Sequence, residues 1–273
     1  MPTTTDATTR SADGTTIAYD VTGTGTGVVV VDGELCHRLP SMVALAGFAQ
    51  GLRVVRYDRR GRGASSDTPP YAVEREVEDV LAVLESAAPE GAVLLGLSSG
   101  SFLALRAAAD LGPVRVRAVV VYAPPHDVSD VAPPDLRHVT AVEGCVAAGD
   151  PGAAVEVFLD LLGMPRRYVA GMRRSPSWET LETIAPTIGY DGRVMAAITA
   201  GPRPLAARWA EITQPVLVAD GGASPALMGA AAASLAGVLP RARRVTLADQ
   251  GHDADPAVLA PVLAQFVAGL TTA

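Results

Sequence analysis

The sequence predicts an α/β fold with a mostly parallel sheet covered by helices on both faces. Three observations predict it. Short apolar runs recur at 28–31, 92–95, 116–122 (interrupted once, by Arg117) and 216–219, as expected of strands buried on both sides. Segments with apolar residues three and four apart lie between several of them, the spacing of one helix face. Hydrophobic residues make up 49% of the 273 positions and charged ones 19%, which excludes a disordered chain.

The elements follow in order. A short strand, a turn at Asp13-Gly14 and a second strand over 15–21 open the chain, and the glycines at 23, 25 and 27 then break the pattern. The run at 28–31 is the first buried strand. Residues 52–57 form another, ending in the turn Asp58-Arg59-Arg60-Gly61-Arg62-Gly63. Val73, Val77, Val80, Leu81 and Leu84 mark a helix face, with Glu74, Glu76 and Glu78 off it. The strand at 92–95 runs into a helix over 99–111 that Gly112-Pro113 stops. Pro124-Pro125 ends the strand at 116–122. From 126 to 210 helical patterns dominate, with Ser175-Pro176 as a helix start. After Gln214-Pro215 come a strand at 216–219, a helix over 226–239, a strand at 243–247 and a last helix from near Pro256. Leu259, Val262, Leu263, Phe266 and Leu270 form the inner face of that helix. The expected organisation is a core of 1–125 and 211–273, interrupted by a helical cap or lid at 126–210.

Composition excludes several functions. The net charge is −7, and all 22 basic residues are arginine. That balance disfavours a nucleic-acid partner. Cys36 and Cys145 are far apart with no CxxC pair, so neither a disulfide framework nor a zinc site is expected. His126 and His138 stand alone, and no metal is expected. The glycine stretch at 23–27 is neither a dinucleotide fingerprint nor a phosphate loop, and no cofactor is expected. No apolar run approaches 18 residues, so no membrane partner is expected. The first 20 residues lack the basic start and apolar core of a signal peptide, which points to the cytoplasm. The expected partner is a small-molecule substrate.

Chemistry concentrates at Gly96-Leu97-Ser98-Ser99-Gly100. A G-x-S-x-G between a buried strand and a helix permits a tight turn that exposes the middle serine. The helix beyond it aims free N–H groups and its positive end at the same place. This motif, its setting, and the stretch from Arg56 to Ser65 resemble the α/β-hydrolase superfamily over nearly the whole chain. The resemblance is to its cap-bearing, serine-nucleophile branch, in which esterases and lactonases occur.

The resemblance implies an α/β-hydrolase fold with roles for particular residues. Ser98 is the nucleophile, and His252, in the loop before the last helix, is the general base. The segment Arg56–Ser65 is mainly structural. The family's acid position holds Ser224 here. Asp220, at the end of the same strand, is the first candidate acid; Asp127, Asp253 and Glu34 are others, and a Ser–His dyad is the remaining form. Asp255 before Pro256 reads as a helix N-cap. The backbone N–H of Ser99 is one oxyanion donor, and the resemblance places the other at Glu34, in Asp32-Gly33-Glu34. Leu35, Cys36 and Trp178 are candidate pocket residues. Trp209, Met164, Met172 and Met195 read as core of the helical segment.

A serine at 98 favours acyl transfer, because family members that form alkyl-enzyme esters use aspartate there. The expected activity is hydrolysis of an ester, lactone or thioester of a small to medium, largely apolar substrate. The same acyl-enzyme also serves an acyltransferase. A non-hydrolytic cyclase, lyase or ligand-binding member is the alternative of a different class.

Overall fold

The computed structural model describes residues 4–38, 42, 45, 47, 51–125, 128, 136–199 and 205–270. Among the described residues, eight strands form one sheet: β1 (Thr4–Arg10), β2 (Thr16–Gly23), β3 (Thr26–Val31), β4 (Leu52–Tyr57), β5 (Ala92–Leu97), β6 (Val116–Tyr122), β7 (Val216–Gly221) and β8 (Ala242–Leu247). Their spatial order is β1-β2-β4-β3-β5-β6-β7-β8. The β1–β2 and β2–β4 pairs are antiparallel, and every pair from β4–β3 to β7–β8 is parallel.

The apolar runs are double-faced. In β3, Val29 and Val31 join a core layer under α1 (Val73–Ala87), α2 (Gly100–Arg115) and α9 (Ala226–Val238). Val28 and Val30 join the opposite layer, with Leu259, Leu263 and Phe266 of α10 (Pro256–Leu270). Successive strand residues point to opposite faces, so a strand covered twice needs no polar alternation. Helix α2 changes direction at Gly112, whose φ is +71°, where the sequence places its stop.

The helical stretch sits between β6 and β7. It comprises α3 (Arg137–Ala147), α4 (Pro151–Leu161), α5 (Arg166–Met172), α6 (Ser177–Ile184), a 3-10 turn (Ala185–Thr187), α7 (Ile188–Thr199) and α8 (Leu205–Trp209). His126 and Asp127 lie outside the described residues. Val142, Val155, Phe158, Leu159, Trp178 and Ile188 form a cluster of their own. Helix α7 also enters the main core through Val194 and Ile198, and Trp209 joins the same layer. Tyr190 of α7 stacks on Tyr71 at 3.7 Å between ring centroids.

Strand order sets where chemistry can occur. From β3 the chain passes to β4 on one side, then crosses by α1 to β5 on the other. In open parallel sheets, connections leaving in opposite directions mark the place for a ligand crevice, which here is the carboxyl ends of β3 and β5. Among the described residues, four non-glycine residues have positive φ: Leu35 (+52°), Ser98 (+51°), Ala123 (+51°) and Asp249 (+59°). They follow β3, β5, β6 and β8, all at the carboxyl edge of the parallel strands. Each costs about 1–3 kcal/mol, and strain of this kind gathers at functional sites.

Two glycines allow the close approach there. A Cβ on Gly100 would lie 2.2 Å from the Val31 carbonyl oxygen, and one on Gly96 would lie 2.5 Å from Ser101 Cα. Gly100→Ala is expected to destabilise by about 1–3 kcal/mol in urea denaturation. The control Gly144→Ala on α3, where an added Cβ meets nothing within 4 Å, is expected to stabilise by about 0.5–1 kcal/mol.

Candidate active site

Ser98 follows β5 and precedes α2. Its N–H donates to the Tyr122 carbonyl at 2.9 Å, which pins the turn to the end of β6. Its side chain makes no hydrogen bond among the described residues. The Ser99 N–H has no acceptor among them either. A free hydroxyl therefore sits beside an unsatisfied donor at a helix start, an arrangement that suits a developing oxyanion.

The loop after β8 carries His252. Tyr122 Oη donates to the Gly251 carbonyl at 2.5 Å, and the Ala223 N–H donates to the Gln250 carbonyl at 2.8 Å. Tyr122 thus holds both the serine turn, through its carbonyl, and the histidine loop, through its hydroxyl. Burial, then the charges of Asp220 and Asp253, push the Tyr122 pKa up to about 12, so it remains a donor. Asp255 accepts the Ala257 N–H at 2.8 Å, the capping role the sequence suggests. The His252 ring is exposed and lies with Nδ1 3.1 Å from Met228 Sδ. No hydrogen bond joins it to Ser98.

No hydrogen bond joins Asp220 to His252. The Asp220 carboxylate accepts two hydrogen bonds from Arg244, at 2.8 and 3.0 Å, and is in reach of Thr246 Oγ1 at 3.2 and 3.3 Å. Register explains this. Asp220 is level with Thr246 on the neighbouring strand, so its carboxylate is satisfied along the sheet. Ser224 donates its N–H to the Gly221 carbonyl and offers no carboxylate.

The other expected residues are placed as follows. Trp178 is 5% exposed inside the cluster of the helical stretch, and its indole N–H donates to Glu182 at 2.8 Å. It is a packing residue there. Leu35 packs against the same cluster. Burial first, then Asp32, pushes the Cys36 thiol up to about 12, so Cys36 is no competing thiolate. The Glu34 N–H is already engaged, donating to Ser99 Oγ at 2.9 Å. This peptide N–H points at a side chain, whereas the sequence reading leaves it free for substrate.

Sequence reading missed Asp191 of α7. Its carboxylate is buried between Arg59 Nη1, at 2.5 Å, and Arg62 Nη2, and accepts the Ser99 hydroxyl at 2.9 Å. Arg59 also forks onto Glu76 at 2.6 and 2.7 Å, and Arg60 forks onto Asp79 at 2.7 and 2.8 Å. These are the arginines of the turn after β4, and their structural role is the expected one. Burial opposes ionisation of Asp191, but the two guanidinium charges and the bonds from Arg59 and Ser99 hold its pKa below the usual aspartate value. No local pattern marks a lone aspartate on a helix 132 residues from its partner.

The description alpha/beta hydrolase family matches residues 35–262. The chain belongs to that family. An alpha/beta hydrolase from Sphaerobacter thermophilus superposes with a TM-score of 0.82 at 41% identity, over 96% of this chain and all of that one. The esterase RhEst1 from Rhodococcus sp. superposes at 0.67 with 22% identity, over 97% of this chain and 99% of that one, a likeness of fold. BpoC of Mycobacterium tuberculosis, provisionally named a non-heme bromoperoxidase, is 30% identical over 95 residues. That match spans 32% of this chain and 34% of the relative.

This hydrolase carries a buried acid at the loop after β3. Glu34 Oε1 is buried with no hydrogen-bond partner among the described residues. Burial first, then the Asp191 charge, push the Glu34 pKa well above the usual glutamate range, against the opposing pull of Arg62 and Arg59. An acid whose folded pKa is raised destabilises the fold as pH climbs past its unfolded value, about 4.3. Glu34→Gln is therefore expected to melt higher than the wild type at pH 7–8. The two melting temperatures should converge below about pH 4.

Proposed function

We propose that this hydrolase cleaves carboxylic esters through an acyl-enzyme on Ser98. The observation that carries the reading is the Ser98 backbone, held at φ +51° between a buried strand and a helix start with a free N–H. In the proposed reaction the Ser98 oxygen attacks the substrate carbonyl carbon, and its proton passes to Nε2 of His252. The carbonyl π bond breaks, and negative charge gathers on oxygen beside the Ser99 N–H. The alkoxide leaves with the proton from His252. Water then attacks the acyl-enzyme, gives its proton to the same ring, and Ser98 is released with its proton restored.

His252 serves here as the base of a Ser–His dyad. Asp220 is engaged with Arg244 and Thr246, which supports the dyad over a triad through that residue. The ring turns from Met228 to meet Ser98. The loop it rides on is fixed by Tyr122, the residue that also fixes the serine turn. The substrate is a small to medium, largely apolar ester that enters the crevice at the ends of β3 and β5. The helical stretch between β6 and β7 serves as its cover.

The exposed His252 ring, resting on a thioether, also fits a second reading: a ligand-binding member without covalent chemistry. A fluorophosphonate probe separates the two. Stoichiometric labelling of the wild type that disappears in Ser98→Ala supports the hydrolase, and an inert wild type supports the binding protein. His252→Ala is expected to lower p-nitrophenyl butyrate turnover by about 10²–10⁴-fold. Asp220→Asn is expected to keep turnover within about tenfold, whereas a loss near 10⁴ would return the triad role to Asp220.

A further inference from the structure

One peptide unit beside the elbow is held from both ends. The Gly33 carbonyl accepts from Arg62 Nη1 at 2.6 Å. The N–H of the same unit, that of Glu34, donates to Ser99 Oγ at 2.9 Å. Both holding groups are in turn fixed by one carboxylate. Arg62 Nη2 meets Asp191 Oδ2, and the Ser99 hydroxyl donates to Asp191 Oδ1 at 2.9 Å. The Ser99 oxygen can accept from Glu34 with a lone pair because its proton is committed to Asp191.

Every member of this relay is anchored by a different element. Gly33 and Glu34 follow β3, Arg62 follows β4, Ser99 begins the turn into α2, and Asp191 belongs to α7 of the helical stretch. Arg62 is further fixed by Thr187 Oγ1 at 2.8 Å. Asp191 itself is 1% exposed and is held by Arg59 as well. The carboxylate touches neither the Ser98 hydroxyl nor His252, so it acts through the groups it orders.

We propose that Asp191 is a positioning residue for the reaction: through Ser99 and Arg62 it fixes the Gly33–Glu34 peptide against the nucleophile turn. The helical stretch thereby controls the geometry of the oxyanion side of the site as well as access to it. The inference rests on Ser98 being the nucleophile. The peptide packs on the nucleophile turn, since a Cβ on Gly33 would lie 3.0 Å from both the Leu97 carbonyl oxygen and Ser98 Cβ. Loosening it lets the turn that aims the Ser99 N–H shift, which lowers transition-state stabilisation while leaving ground-state binding nearly intact.

The test compares Asp191→Asn and Ser99→Ala with the wild type. Asp191→Asn leaves two buried guanidinium groups short of charge, so it can fail to fold. Ser99→Ala leaves both ion pairs intact and keeps the proposal falsifiable. For folded variants, kcat on p-nitrophenyl butyrate is expected to fall about 10–100-fold with KM within about threefold. Affinity for phenylboronic acid, which mimics the tetrahedral adduct, is expected to fall with kcat/KM. Amide exchange over residues 33–36 is expected to quicken in both variants. A folded Ser99→Ala with wild-type or raised kcat, or with unchanged boronate affinity, overturns the proposal. Should the wild type resist fluorophosphonate, the Ser98 reading fails by itself; unchanged exchange at 33–36 in Ser99→Ala then rejects the clamp independently.

Discussion

The buried carboxylate of Asp191, shared by Arg59 and Arg62, is the interaction that ties together the elements around the serine turn. Two guanidinium groups and one carboxylate removed from water cost several kcal/mol each unless they meet in good geometry. Arg59 offsets its remaining cost with Glu76, and Arg62 with Thr187 and the Gly33 carbonyl. The result joins the β3 loop, the β4 turn, α1 and α7 around the start of α2. A charge network of this kind adds modestly to stability. Its clearer consequence is geometric, because few other arrangements would leave all of these groups paired.

The strained residues and the strand order converge on the same edge. Parallel strands deliver Leu35, Ser98, Ala123 and Asp249 to one rim, and all four take positive φ. Such backbones persist only where surrounding contacts over-determine them. Around Ser98 these contacts are the Gly96 and Gly100 approaches and the Tyr122 carbonyl. Tyr122 also reaches the loop of His252, so the rim is tied across β5, β6 and β8. Packing of the sheet and placement of the candidate nucleophile are thus one problem solved by one set of contacts.

Much of the fold was legible because burial and periodicity are local. The runs at 28–31, 92–95, 116–122 and 216–219 all lie within strands, and Gly112 breaks α2 where its lack of a side chain allows φ +71°. The serine turn was equally legible, since Gly96 and Gly100 are dictated by close backbone approach. Asp220 was less readable. Its place at a strand end suggested reach toward the histidine loop, but pairing with β8 put Arg244 and Thr246 beside it. Trp178 likewise turned into the core of its own helical cluster.

What the sequence alone determined is the order of strands and helices, the family, and the serine carried on a glycine-flanked turn. These are set by spacing of a few residues, where a side chain's neighbours along the chain decide its environment. Only the tertiary structure decided the partners of charged groups: Asp191 with Arg59, Arg62 and Ser99, Asp220 with Arg244, and the His252 ring against Met228. The physical reason is that an ion pair or hydrogen bond needs approach within about 3 Å. Which distant segments come that close is fixed by how the layers pack, a property no single stretch of chain carries.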